Sequence, residues 1–288
     1  MSAQQATLLP GPIIAHRGAS GRLPEHTLEA YAYAHGVGAH WLEPDVVSTR
    51  DGVLLCLHDT VLERVTNVAK VYPDRRRGDG HWYAIDFDLD ELKRLAAMGP
   101  RGDGSGFQLC TLDELLALVV RLDAATGRRT GICPELKKPA FHRLEGRPLE
   151  KAFLAAMDGF GHSGPDARVL VQCFEFDCLE ALRAEHGCRL PLLYLTEGEA
   201  LKVAELTALG AKVQAIGPHR SAIEGTDGEP AGGAAWVASC HAAGLAVVPY
   251  TFDEEPEAMG RFLADYRVDA LFTNFPECGV QTQKQLDR

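Results

Sequence analysis

Trp41-Leu42-Glu43-Pro44-Asp45-Val46-Val47 decides how this chain is read: it is an apolar, strand-like run that carries two carboxylates two residues apart. Side chains at that spacing on a strand face the same way. Burying an unpaired charge is costly, so Glu43 and Asp45 belong where a buried strand runs out into a loop. Two nearby stretches share the pattern. Ile13-Ile14-Ala15-His16-Arg17-Gly18 is apolar until it reaches His16 and Arg17, and Val53-Leu54-Leu55-Cys56-Leu57-His58-Asp59 ends on His58. Farther on, Ile132-Cys133-Pro134-Glu135-Leu136-Lys137 sets an acid and a base two residues apart on another such run.

Working outward, short β-type runs alternate with helical segments, and the strand candidates are 12–17, 40–47, 130–137, 167–173, 190–195, 212–217, 245–251 and 268–273. Eight parallel strands with helical crossovers predict an α/β fold, the (β/α)8 TIM barrel, whose active sites lie at the C-terminal strand ends. The run 53–58 follows 40–47 too soon to be a barrel strand of its own, and it reads as an extension or short hairpin around Asp51-Gly52. Residues 60–110 do not match the alternation and read as a small insertion after the second strand. Gly127, Gly187, Gly210 and Gly244 are expected as left-handed helix stops. Thr111-Leu112-Asp113-Glu114 has capping-box spacing, with Leu112, Leu115, Leu116 and Val119 on one face of the helix that follows. No linker or composition shift divides the chain, so a single domain over 1–288 is expected.

The chain has 288 residues, of which 46% are hydrophobic and 24% charged, enough to bury a sizeable core. A formal net charge of -11 argues against a nucleic-acid partner. An anionic substrate would need local positive charge. The opening Met1-Ser2-Ala3-Gln4-Gln5-Ala6 lacks the basic and apolar regions of a secretory signal, and no apolar run is long enough to span a bilayer, so no integral membrane segment is expected. Eight scattered cysteines without a Cys-x-x-Cys pair point to reduced, buried thiols in a cytoplasmic protein rather than to zinc or a disulfide framework. No motif bears on oligomeric state.

Three inward carboxylates, Glu43, Asp45 and Glu135, would repel one another unless a cation sat among them, and hard oxygen ligands suit Mg²⁺ or Ca²⁺. Structural ion pairing with Arg or Lys is the plainer alternative for each acid taken alone. His16 and His58 beside that set are candidates for proton transfer, since an imidazole titrates near ~6.5. Arg17 can hold phosphate oxygens as a fork, and Lys137 can add a point charge. Arg75-Arg76-Arg77 reads as a solvated loop, and Arg101-Gly102-Asp103 as chance. Trp82-Tyr83 either packs the insertion onto the barrel or covers a leaving group. His219 has no motif partner and is left out of the site.

In these residues the sequence resembles the glycerophosphodiester phosphodiesterase family. The resemblance rests on His16-Arg17-Gly18-Ala19-Ser20, Pro24-Glu25-His26-Thr27-Leu28, Glu43-Pro44-Asp45, Thr49-Arg50-Asp51-Gly52, His58-Asp59, Thr111-Leu112, Glu135-Leu136-Lys137 and Thr273-Asn274-Phe275-Pro276, which run in family order. It implies a (β/α)8 barrel with a small insertion after the second strand. It implies Glu43, Asp45 and Glu135 as ligands of a divalent metal, Mg²⁺ or Ca²⁺, His16 and His58 as the general acid/base pair, and Arg17 and Lys137 as phosphate contacts. The implied substrate is a small glycerophosphodiester, cleaved to sn-glycerol 3-phosphate and an alcohol. The alternatives are a lysophospholipase D-type enzyme on the same barrel and a non-catalytic barrel that binds phosphate metabolites. Three departures stand out: His26 where the family usually has Asn, Gln172-Cys173-Phe174 for Gln-Ser-Phe, and Tyr250-Thr251-Phe252-Asp253 for Trp-Thr-x-Asn.

Overall fold

The computed structural model describes residues 8–100, 106–164, 167–198, 200–225 and 232–288. The opening Met1–Ala6 and the tripeptide Arg101-Gly102-Asp103 lie outside the described residues. The first barrel strand is β1, Ile13–His16, and the second is split by Pro44 into β2, Trp41–Glu43, and β3, Asp45–Ser48. After β4, Leu54–Cys56, the third barrel strand is split in the same way by Cys133-Pro134 into β5, Gly131–Ile132, and β6, Glu135–Leu136. Five more follow: β7 Val171–Cys173, β8 Leu192–Thr196, β9 Ala215–Pro218, β10 Ala246–Val247 and β11 Leu271–Thr273. Neighbours run β11-β1-β2-β5 in one sheet and β10-β9-β8-β7-β6-β3-β4 in the other.

The two sheets are one barrel. The split strands belong to both, because proline removes a ladder donor while its carbonyl still accepts. Glu135 N donates to Pro44 O at 2.8 Å, and Gln172 N to Pro134 O at 2.8 Å. On the other side, Phe252 N donates to Phe272 O at 2.9 Å and Asn274 N to Phe252 O at 3.0 Å, joining the segment after β10 to β11. A (β/α)8 barrel is therefore formed, as the alternation predicts. The run at 54–56 pairs antiparallel with β3, Val47 opposite Leu55, which is the expected hairpin.

Register sets the site. His16 lies opposite Glu43, and Asp45 opposite Glu135, so the inward side chains of adjacent strands share levels. Below them the barrel is filled by an apolar cluster that includes Ile14, Trp41, Cys133, Leu193, Val248 and Phe272. Alternation along each strand thus runs from packing residues to polar ones within two positions.

The insertion has a core of its own. Leu62, Val65, Val68, Trp82, Phe87 and Leu92 cluster there against Val47, Leu55 and Leu57 of the hairpin. Trp82 is buried, and its Nε1 donates to Tyr72 O at 2.7 Å, which supports the packing role. The arginine run is not a free solvated loop: Arg75 pairs with Glu91 at 2.9 Å, and Arg77 pairs with Asp86 at 2.7 Å and Glu145 at 2.8 Å. Abundant carboxylates nearby, which the linear run does not reveal, account for the difference.

The helix Leu112–Thr126 starts as predicted, with Glu114 N donating to Thr111 Oγ1 and Thr111 N to Glu114 Oε2. Gly127, Gly187 and Gly244 take positive φ, as expected of helix stops, but Gly210 does not. It closes the helix Val203–Gly210, and a Cβ there would lie 2.0 Å from Ala243 O. Its role is close approach rather than handedness. Gly210→Ala is expected to lower stability by about 1–3 kcal/mol through overpacking against a carbonyl that cannot rotate away, read from the midpoint of denaturant unfolding.

Candidate active site

After β1 the chain turns through Arg17 and Gly18, both at positive φ, and the turn aims the Arg17 backbone at the neighbouring strand. A Cβ on Gly18 would lie 2.8 Å from the Ala30 carbonyl carbon, so only glycine fits there. Arg17 N donates to Glu43 Oε2 at 2.7 Å. The Arg17 guanidinium pairs with Glu25 at 3.2 Å, and its Nε lies 3.3 Å from Asp45 Oδ2. Lys137, two residues beyond Glu135, holds Glu135 Oε1 at 2.7 Å and lies 3.6 Å from Asp45 Oδ1.

Glu43, Asp45 and Glu135 are all buried, and one oxygen from each lies within 4.8 Å of the others. Burial, then the charge of Asp45, pushes Glu43 well above the usual carboxylate range. Burial likewise raises Glu135, to about 8, against the pull of Lys137. Asp45 goes the other way: burial opposes its charge, but Lys137, the His26 hydrogen bond and Arg17 together hold it well below the usual range. Three carboxylates face two permanent cations, an excess of negative charge that favours a further cation among them. Asp45 Oδ1 is buried with no hydrogen-bond partner among the described residues, an oxygen free to ligate. A hard divalent cation fits this donor set.

The two histidines are held in one tautomer each. Asn274 Nδ2 donates to Asp253 Oδ1 at 2.8 Å, and this fixes the amide so that its Oδ1 accepts from Ser20 Oγ at 2.9 Å and from His16 Nδ1 at 2.7 Å. His58 Nδ1 donates to Asp59 Oδ1 at 2.7 Å. In both rings Nε2 is therefore the nitrogen left with a lone pair. Burial, then the charge of Arg17, pushes His16 down to about 3, so this imidazole is neutral at ordinary pH.

All the predicted site residues except Asp45 line a cavity of about 820 Å³ at the C-terminal mouth of the barrel. Asp45 lies behind it. The far wall carries Phe174, Tyr194 and Tyr250, and Tyr83 of the insertion is turned away, stacked on Phe141 at 5.5 Å. His219 bonds Ser221 and packs against Tyr250 outside the set.

Sequence reasoning missed several supporting residues. Gln172 donates to Glu43 Oε1 at 3.1 Å, and Arg64, from the insertion, joins Asp59 to Glu25 at 2.5 and 2.7 Å. Asn274 and Gln172 lay within recognised motifs, which was the signal for them. Arg64 had none.

The profile of the family described as "Glycerophosphoryl diester phosphodiesterase family" matches residues 16–278. A glycerophosphodiester phosphodiesterase from Haemophilus influenzae is 36% identical over 212 residues, which is 68% of this chain and 56% of that protein. One from Treponema pallidum is 35% identical over 189 residues, 60% of this chain and 53% of the relative. The chain thus spans about half the length of these two curated relatives. Among solved structures, an Oleispira antarctica phosphodiesterase in complex with the product sn-glycerol-3-phosphate superposes with a TM-score of 0.74 at 24% identity, covering 99% of each chain. A glycerophosphodiester phosphodiesterase from Thermotoga maritima gives 0.68 at 19% identity, covering 93% of this chain and 96% of the other.

Proposed function

This chain belongs to the glycerophosphoryl diester phosphodiesterase family, and from that membership we propose that it hydrolyses small glycerophosphodiesters to sn-glycerol 3-phosphate and an alcohol with the help of a divalent cation. The observation that carries the reading is the convergence of three buried carboxylates, two cationic side chains and two tautomer-fixed imidazoles on one barrel mouth. The names of the relatives and the product bound to the Oleispira antarctica neighbour agree with it.

Glu43, Asp45 and Glu135 would hold the cation, Mg²⁺ or Ca²⁺ by their oxygen chemistry. When bound there, such an ion neutralises phosphate charge and makes phosphorus more electrophilic. Arg17 and Lys137 orient the non-bridging oxygens. Neutral His16 takes the proton of the attacking hydroxyl through Nε2 as its oxygen bonds to phosphorus. His58, backed by Asp59 through Nδ1 and acting as the imidazolium with a second proton on Nε2, gives that Nε2 proton to the alcohol oxygen as its bond to phosphorus breaks. The whole chain acts as one catalytic unit, and its eight free thiols, seven of them buried, agree with a cytoplasmic setting.

The test is an assay of glycerol phosphate release from glycerophosphocholine and glycerophosphoglycerol with Mg²⁺ or Ca²⁺ present, beside an assay of choline release from a lysophosphatidylcholine. Release from the deacylated diesters is expected. Turnover of the lysophospholipid alone would transfer the site to a lipid phosphodiesterase, and release from none would leave a binding barrel.

A further inference from the structure

His26 stands where the family pattern has Asn, and it is fully buried beside the carboxylate cluster. Its backbone is left-handed, with φ 59, a region that Asn and His enter more readily than most side chains. Backbone bonds hold it there: His26 N donates to Arg17 O at 3.2 Å, and Cys110 N donates to His26 O at 3.1 Å. The ring spans two partners. Nε2 donates to Asp45 Oδ2 at 3.0 Å, and Nδ1 is 2.8 Å from Tyr31 Oη, which itself lies 3.3 Å from Glu43 O.

These contacts divide the labour within Asp45. Oδ2 is engaged by His26 and approached by Arg17, while Oδ1 is left buried with no hydrogen-bond partner among the described residues. A carboxylate gripped on one oxygen is restrained from rotating, so the other is held within the acidic cluster, on the side of Lys137 Nζ 3.6 Å away. We propose that His26 is a positioning residue for the cation, fixing Asp45 so that Oδ1 is presented as a ligand, with Tyr31 bracing the ring against the strand that carries Glu43. The imidazole has a reach that the shorter Asn lacks, so it contacts a carboxylate and a phenol at once. This inference rests on the cation-site reading above.

The experiment is calorimetric titration of Mn²⁺ and of Mg²⁺ into cation-free protein. His26→Ala is expected to weaken affinity tenfold to a hundredfold, as loss of an outer-shell partner does, with turnover recovering at high Mg²⁺. His26→Gln, which restores a donor near the Nε2 position, is expected to stay within a few-fold of the natural protein. Tyr31→Phe should fall between them. If His26→Ala loses its cooperative thermal transition, His26→Met, which fills the space without a donor, is expected to show the same loss. Unchanged affinity in a folded donor-free variant overturns the inference while leaving the cation site standing, and so does a Gln variant as weak as Ala. A natural protein that binds neither ion overturns both.

Discussion

His58→Ala is expected to lower kcat on a glycerophosphodiester by about 10²- to 10⁴-fold, the range over which a positioned proton donor acts. The ring is half-buried at the cavity wall and is anchored through Nδ1 to Asp59, its one hydrogen-bond partner among the described residues, so its removal should change unfolding free energy by no more than about 0.5 kcal/mol. His16→Ala should cost turnover on the same scale, because Asn274 dedicates that ring to a single free nitrogen. The double variant is expected to lose far less than the product of the two single losses, as groups acting in one step do. Steady-state kinetics at saturating Mg²⁺ measure all three. Near-normal turnover in either single variant ends the two-histidine scheme.

Stripping the divalent cation is expected to have an effect at least as large. With three buried carboxylates within 4.8 Å and Arg17 and Lys137 already paired with them, the site without the ion retains protons and has no further positive charge to set against a phosphodiester. Dialysis against a chelator should take turnover to background, and added Mg²⁺ or Ca²⁺ should restore it. Asp45→Asn should resist that restoration at ordinary ion concentrations, since it removes charge from the one ligand held well below the carboxylate range. Turnover that survives the chelator would mean the carboxylates serve only as partners of Arg17 and Lys137.

How much of this could be read from the sequence follows from where each signal lies. The barrel strands announced themselves because buried parallel strands are short apolar runs, and Glu43, Asp45 and Glu135 stood out because charge inside such runs is costly. Pro44 and Pro134 split two strands without moving the carboxylates, a detail of ladder hydrogen bonding that a pattern of apolar residues does not carry. Gly210 looked like the other helix-end glycines, yet its reason is an Ala243 carbonyl more than thirty positions away, close only once the fold exists. The same holds for His16 and Asn274, which meet across 258 positions. Arg64 was invisible for a related reason. It sits in the insertion, and only the folded loop brings it between Asp59 and Glu25.

The most direct measurement is a crystal structure of the protein with Mn²⁺ and sn-glycerol 3-phosphate, the ion located by its anomalous signal. One peak is predicted among Glu43, Asp45 and Glu135, with the phosphate against Arg17 and Lys137 and within reach of Nε2 of both His16 and His58. An ion bound elsewhere, or a phosphate turned away from both imidazoles, would contradict the account.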